Sequence, residues 1–311
     1  MNKKIITALA ALTLLIPTSA NAALKNSTVV QKPTIAFLDT AIDTSISSLQ
    51  GRVAYEVCIL EWNSCPNGQK FMEGPGSAVL PNNIITKNGF DHGTMMASTF
   101  ASNNSAYNIV FVRIIGATAT GVRQIANETT FVNALDWVYK NKERLNIQAV
   151  SMSQSNHNLM PGVNYCPNTI NTQSKINSLV SSGIPVFLAA GNMRDIKRIS
   201  WPACLDQSIA VGAATDYDEI PIWSNVDMNK SDLYDLGFAE VVSVGNKTVN
   251  ISGTSVSTQI AAAHWLTIKD AKPTLTYKQL YDLIIQTSIN IIGPNNVSGK
   301  MINLKGAINV R

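Results

Sequence analysis

The chain has 311 residues, of which 14% are charged, and a net charge of +4 at neutral pH. The charged fraction lies well below the roughly 25% of an average soluble domain. The small excess of lysine and arginine is scattered without a basic block, which argues against nucleic acid as a partner. At the start of the chain, Asn2, Lys3 and Lys4 precede an uncharged apolar run from Ile5 to Ile16, followed by PTSANA at 17–22. A positive segment, an apolar core and small residues at Ala20 and Ala22 form the layout of a secretory signal peptide cut after Ala22. The apolar run is too short for a membrane span, which needs roughly 20 residues. Cleavage there leaves 311 − 22 = 289 residues, enough for one large domain with a substantial core. The expected destination is the periplasm or the medium, and the expected mature protein is soluble.

From residue 33 onward two kinds of segment alternate. Short apolar runs, Thr34–Leu38, Ile109–Ile115, Gln148–Met152, Pro185–Ala189 and Ser208–Val211, have the length and β-branched content of strands buried on both faces. Helical patterns at Thr94–Ser102, Thr129–Lys142 and Asn171–Ser182 lie between them, the last stopped by Gly183. Hairpin-like strands follow around Val241–Val244 and Thr248–Ile251, then a long helix from about Thr254. Such alternation predicts an α/β fold, a three-layer sandwich with a mainly parallel central sheet. With no repeat or linker, residues 23–311 read as one domain.

Four cysteines, Cys58, Cys65, Cys166 and Cys204, form an even count in a chain marked for export, which favours disulfides. Of the three possible pairings, Cys58–Cys65 with Cys166–Cys204 is preferred. A zinc site is the alternative, but it lacks a CxxC pair.

In parallel sheets, ligands and catalytic groups gather at the carboxyl ends of strands. Asp39 directly follows the first strand in IAFLDTAID, and His92 stands in DHGTMMAS where a loop meets a helix. Ser255 opens a helix in NISGTSVSTQ, where backbone N–H groups and the helix dipole favour developing negative charge. Asn192 ends VFLAAGN, placing a side-chain amide just past another strand. Each residue alone fits an ordinary turn, cap or packing role. His157 and His264, the other histidines, read as surface or packing residues.

The four in their order, Asp, His, Asn, Ser, match what one subtilisin-type triad requires. The chain resembles the subtilase family, the subtilisin-like serine proteases of peptidase family S8. LDTAID resembles its aspartate motif, HGTMMAS its histidine motif, AAGN its oxyanion motif and SGTSVS its serine motif. VSMSQS, WPACLDQSIAVGA and GKMINLKGAINV extend the likeness over roughly residues 33–308. The resemblance implies a serine endopeptidase with catalytic Asp39, His92 and Ser255 and Asn192 in the oxyanion hole. It also implies a peptide held as an added strand between Gly116–Gly121 and Ser153, Gln154 and Ser155. Ser200 resembles the position at the floor of the primary pocket.

The chain departs from the family pattern at Ala41, Gln154, Ser155, Ser257 and Gln259, and a side chain at 155 narrows the pocket wall. These departures keep open a catalytically silent, peptide-binding relative. An esterase or lipase of another fold is disfavoured by the absence of a GxSxG string around Ser255. The stretch between Ala101 and Ile109 is too short for the family's strong calcium loop, so no cofactor is expected. Asp39 lies 39 − 22 = 17 residues past the cut, so no amino-terminal propeptide domain is expected. Folding is then unaided or served by a separate helper or inhibitor protein. The expected partners are protein or peptide substrates, and the expected state is a monomer.

Overall fold

The computed structural model describes residues 32–310 apart from 125, 156–165 and 167–168. The signal-like segment and His157 therefore lie outside the described residues.

The first strand, β1 (Thr34–Asp39), is buried along its whole length. Its alternate side chains serve opposite faces: Ile35 and Phe37 enter one apolar cluster, Ala36 and Leu38 the other. Then come β2 (Val53–Ile59), β3 (Phe71–Glu73) and the short helix α1 (Asn82–Ile85). Helix α2 (His92–Asn103) leads to β4 (Asn108–Arg113) and to the small hairpin β5 (Gly116–Ala117) and β6 (Arg123–Gln124). Helix α3 (Glu128–Asn141) starts where the Asn127 side chain accepts the Thr130 N–H, with Glu128 in its first turn and Lys140 in its last, so cap and dipole agree.

After β7 (Ile147–Met152), α4 (Ile170–Ser181), β8 (Val186–Ala189) and β9 (Ile209–Ala214), the chain enters β10 (Leu233–Leu236) and the antiparallel pair β11 (Phe238–Ser243) and β12 (Lys247–Ser252). Helix α5 (Thr254–Ala271) is buried around most of its girth, as an Ala-rich helix at the centre of a domain can be. A capping box of Thr276 and Gln279 starts α6 (Tyr277–Thr287). Strands β13 (Ile289–Ile292) and β14 (Ser298–Met301) and helix α7 (Leu304–Asn309) complete the order.

The main sheet has ten strands in the order β13-β14-β10-β9-β8-β7-β1-β4-β2-β3. Every pairing from β2 to β14 is parallel, and antiparallel β3 and β13 close the two edges. One face is covered by α3 and α4, the other by α2, α5 and α6, each contributing to a separate core cluster. This is the three-layer α/β sandwich that the alternation of segments predicts. The strand order reverses at β1, between β4 and β7, so a crevice is expected above its carboxyl end. Both preferred disulfides are present, Cys58–Cys65 and Cys166–Cys204.

Candidate active site

Asp39 is the last residue of β1 and is 1% exposed. A buried carboxylate must find donors, and three converge on Oδ1. The Thr40 N–H donates at 2.7 Å, His92 Nδ1 lies at 2.8 Å, and Gln154 Nε2 donates at 2.9 Å. His92 begins α2, and that helix is clamped to β1 by Thr40, whose hydroxyl donates to the Phe90 carbonyl and accepts the Gly93 N–H. Gly93 permits this approach, because a Cβ there would stand 2.5 Å from the Ala41 carbonyl oxygen.

Ser255 is the second residue of α5. Gly253 precedes the helix at φ 149°, a conformation open essentially to glycine alone. A Cβ on Gly253 would also approach the Asn192 amide nitrogen to 3.2 Å. The Asn192 Oδ1 accepts from the Thr254 N–H at 2.9 Å and from its hydroxyl at 3.0 Å. That anchoring leaves the NH2 of an exposed side chain as the free end of the amide. The Ser255 hydroxyl donates to the Ser153 carbonyl at 3.4 Å, while the Ser153 hydroxyl donates to the Ser255 carbonyl at 3.2 Å. No hydrogen bond joins Ser255 to His92.

His92, Ser255, Asn192, Ser153, Gln154 and Ser155 line one cavity of about 360 Å³. Seven further residues complete its wall, and among them Arg123, Ile115 and Phe131 belong to none of the motifs quoted above. Gly116 and Gly121 stand apart from the lining: Gly116 pairs with Gln124 within the β5–β6 hairpin, and Gly121 turns it at φ 84°. Ser200 is not part of the lining either; it is fully buried, its hydroxyl taking a hydrogen bond from Asn225 Nδ2 at 3.3 Å. Asn225 also accepts the N–H groups of Met193 and Asp195, so it holds the turn that follows Asn192. Gln259 closes a buried polar chain, accepting from Ser151 and donating to Ser153 at 2.8 Å. The departure at 259 thus has a structural use: it fixes the strand end that carries Ser153.

The model of the Subtilase family matches residues 31–305. The chain belongs to this family of serine proteases. It is 22% identical to Subtilisin Savinase from Lederbergia lenta over 75% of this chain and 82% of that protein. An alkaline protease of Alkalihalobacillus alcalophilus is also 22% identical over 75% of this chain, and there the match spans 58% of the relative. Among solved structures, proteases from Pseudoalteromonas arctica superpose with a TM-score of 0.70 at 19% identity, covering 89% of each chain. A cold-adapted subtilisin-like serine proteinase gives 0.62 at 20% identity, covering 87% of this chain and 88% of that one. At such identities these structures speak for the fold.

A second Asp–His pair lies outside the cavity lining. His264 of α5 meets Asp235 of β10 at 2.8 Å, the two side chains being 19% and 1% exposed. Burial alone lowers the imidazole pKa, but the Asp235 hydrogen bond and charge outweigh it and hold the value above the usual 6.5. A raised folded value means stability that is complete below about 6.5 and lost as pH rises through the folded pKa. His264→Ala strands the buried Asp235 and should cost about 3 kcal/mol at pH 5–6, with a smaller loss at pH 9. Denaturant melts at the two pH values check this, and an equal loss at both contradicts the pairing.

Proposed function

We propose that this protein is an exported serine endopeptidase acting through Asp39, His92 and Ser255, with Asn192 in the oxyanion hole. The observation that carries the reading is the Asp39–His92 pair at 2.8 Å opening into the same cavity as Ser255 and Asn192. His92 Nδ1–H held on Asp39 leaves Nε2 as the basic nitrogen. A rotation about the Ser255 Cα–Cβ bond releases its weak hydrogen bond to Ser153 and turns the hydroxyl toward that nitrogen. Catalytic hydrogen bonds are often long before substrate binds.

Ser255 Oγ then attacks the peptide carbonyl carbon as His92 takes its proton. The oxyanion receives the Asn192 amide and the Ser255 main-chain N–H at the α5 amino terminus. Collapse of the tetrahedral adduct breaks the C–N bond, with His92 protonating the departing amine. Water, activated by the same imidazole, hydrolyses the acyl-enzyme. Asn192→Ala should lower kcat by about 10²–10³-fold while leaving KM within a few-fold. Steady-state hydrolysis of a chromogenic peptide measures it, and an unchanged kcat removes Asn192 from the mechanism.

A catalytically silent peptide-binding protein is the second reading, favoured by the resting Ser255 bond to Ser153 in place of His92. Such a protein binds peptides without cutting them. Export is supported by the signal-like residues 1–22 and by two disulfides. No helix among the described residues is long and apolar enough to cross a membrane.

We also propose that no calcium ion is needed at the α2–β4 turn. Asn104 occupies that turn, its Oδ1 accepting from the Ala106 and Tyr107 N–H groups and its amide donating to Thr267 of α5. Arg52 donates to the carbonyls of Asn104 and Tyr107. Chelator should leave the melting temperature unmoved, and a loss reversed by added calcium refutes this.

A further inference from the structure

Arg123 projects from β6 into the wall of the active-site cavity, beside His92 and Gln154. Among the described residues that line this cavity it is the sole permanent charge, and none is acidic. Its Nη2 donates to Gln154 Oε1 at 2.9 Å, and its guanidinium carbon lies 5.9 Å from the Phe90 ring centre. Its Nε is buried with no hydrogen-bond partner among the described residues. The carboxylate whose charge reaches it is Asp39, and the contact between them runs through the Gln154 amide. That carboxylate is already saturated at Oδ1 by three donors.

A guanidinium half withdrawn from water, with one donor unpartnered among the described residues and no carboxylate in direct contact, is only partly compensated in the free protein. Ile115 and Phe131, both buried, line the same cavity, and such apolar lining strengthens a charge–charge contact made there. The remaining cost is relieved when an anion enters. We propose that the cavity selects peptides bearing a glutamate or aspartate side chain on the acyl side of the cleaved bond, with Arg123 as the specificity-determining residue. Arginine suits the task because its planar fork grips a carboxylate with two parallel hydrogen bonds.

The effect reaches the chemical step as well as binding. His92 becomes an imidazolium in the transition state, and a bare Arg123 nearby opposes that charge. A substrate carboxylate seated on Arg123 cancels the opposition, so an acidic side chain raises kcat as well as lowering KM.

This inference rests on the protease reading above and is tested separately from it. Peptides carrying a single Glu, Gln or Lys at each of the four positions before the cleaved bond are compared for kcat/KM at low salt. At one position Glu should exceed Gln by about tenfold or more, with Lys worst, and the gap should narrow as salt is added. Arg123→Glu should invert the order in favour of Lys, and Arg123→Gln should bring Glu and Gln to equal rates. Melting curves identify a variant that fails to fold, and the wild-type ratio decides without it. Equal rates for Glu and Gln at all four positions in the wild-type enzyme overturn the inference while leaving the protease reading intact. If no peptide is cut, the protease reading fails. Fluorescence anisotropy of the same peptides on the intact protein then decides: tenfold tighter binding of a Glu peptide supports the inference, and equal affinities overturn it.

Discussion

Ser255→Ala should lower kcat by about 10⁶-fold and leave a folded protein. Ser255 is the second residue of α5 and shares the cavity wall with Asn192, whose amide oxygen is anchored on Thr254. Removing the Ser255 hydroxyl deletes the nucleophile and hence the acyl-enzyme route, while transition-state contacts from Asn192 and the α5 N–H groups remain to give a small residual rate. The structural cost is slight, because the hydroxyl makes one long hydrogen bond, at 3.4 Å, to the Ser153 carbonyl. Losing it costs at most about 1 kcal/mol. Single-turnover hydrolysis alongside a thermal melt reads both halves. A kcat within tenfold of wild type places the nucleophile elsewhere.

Asp39→Asn should lower kcat roughly 10⁴-fold. The carboxylate Oδ1 accepts from the Thr40 N–H, from His92 Nδ1–H and from the Gln154 amide at once. An asparagine keeps one such oxygen, but the Thr40 and Gln154 donors compete for it, and its NH2 facing His92 calls for the opposite tautomer. Nε2 then carries the proton and cannot take one from Ser255. The imidazolium also loses its counter-charge in a site where Arg123 already adds a positive one. Raising the pH should not restore the rate, because the fault is the tautomer. A loss below tenfold would show that Gln154 and Thr40 orient His92 without the carboxylate charge.

How much of this was legible in the sequence depended on whether a feature was local. β1, β4, β7, β8 and β9 are central strands buried on both faces, and their unbroken apolar runs stand out. β10 does not, because Leu-Tyr-Asp-Leu mixes a buried Tyr234 and Asp235 into four residues. The ring of Tyr234 packs flat against two glycines, Gly212 and Gly299, where a Cβ would meet it at 2.3 and 2.5 Å. That room is made by strands far away in the chain. Helix α6 carries its sequence mark in a capping box, Thr276 to Gln279, at its start.

The site divides in the same way. Asp39, His92, Asn192 and Ser255 each sit at the junction of a strand or helix with a loop; Gly93 adjoins His92, Gly191 adjoins Asn192, and Gly253 lies two residues before Ser255. Arg123, Asn225 and His264 carry no local mark. Arg123 acquires its role from Gln154, and His264 from Asp235, in each case through partners about thirty residues distant. Gln154 stands out in the sequence as a departure from the family pattern, yet its contact with Asp39 spans 115 positions and follows only from β1 lying next to β7. Of the segments expected to flank a substrate strand, 153–155 lines the cavity, whereas Gly116 and Gly121 are not in its lining and lie in the β5–β6 hairpin.

Whether Ser255 is a live nucleophile is the question on which the functional account turns. A fluorophosphonate probe, incubated with the purified protein and followed by peptide mass mapping, measures this directly. One adduct is expected, on Ser255, lost in Ser255→Ala and strongly slowed in His92→Ala. An intact, folded protein that stays unlabelled, or is labelled on another residue, would contradict it and leave the peptide-binding reading in its place.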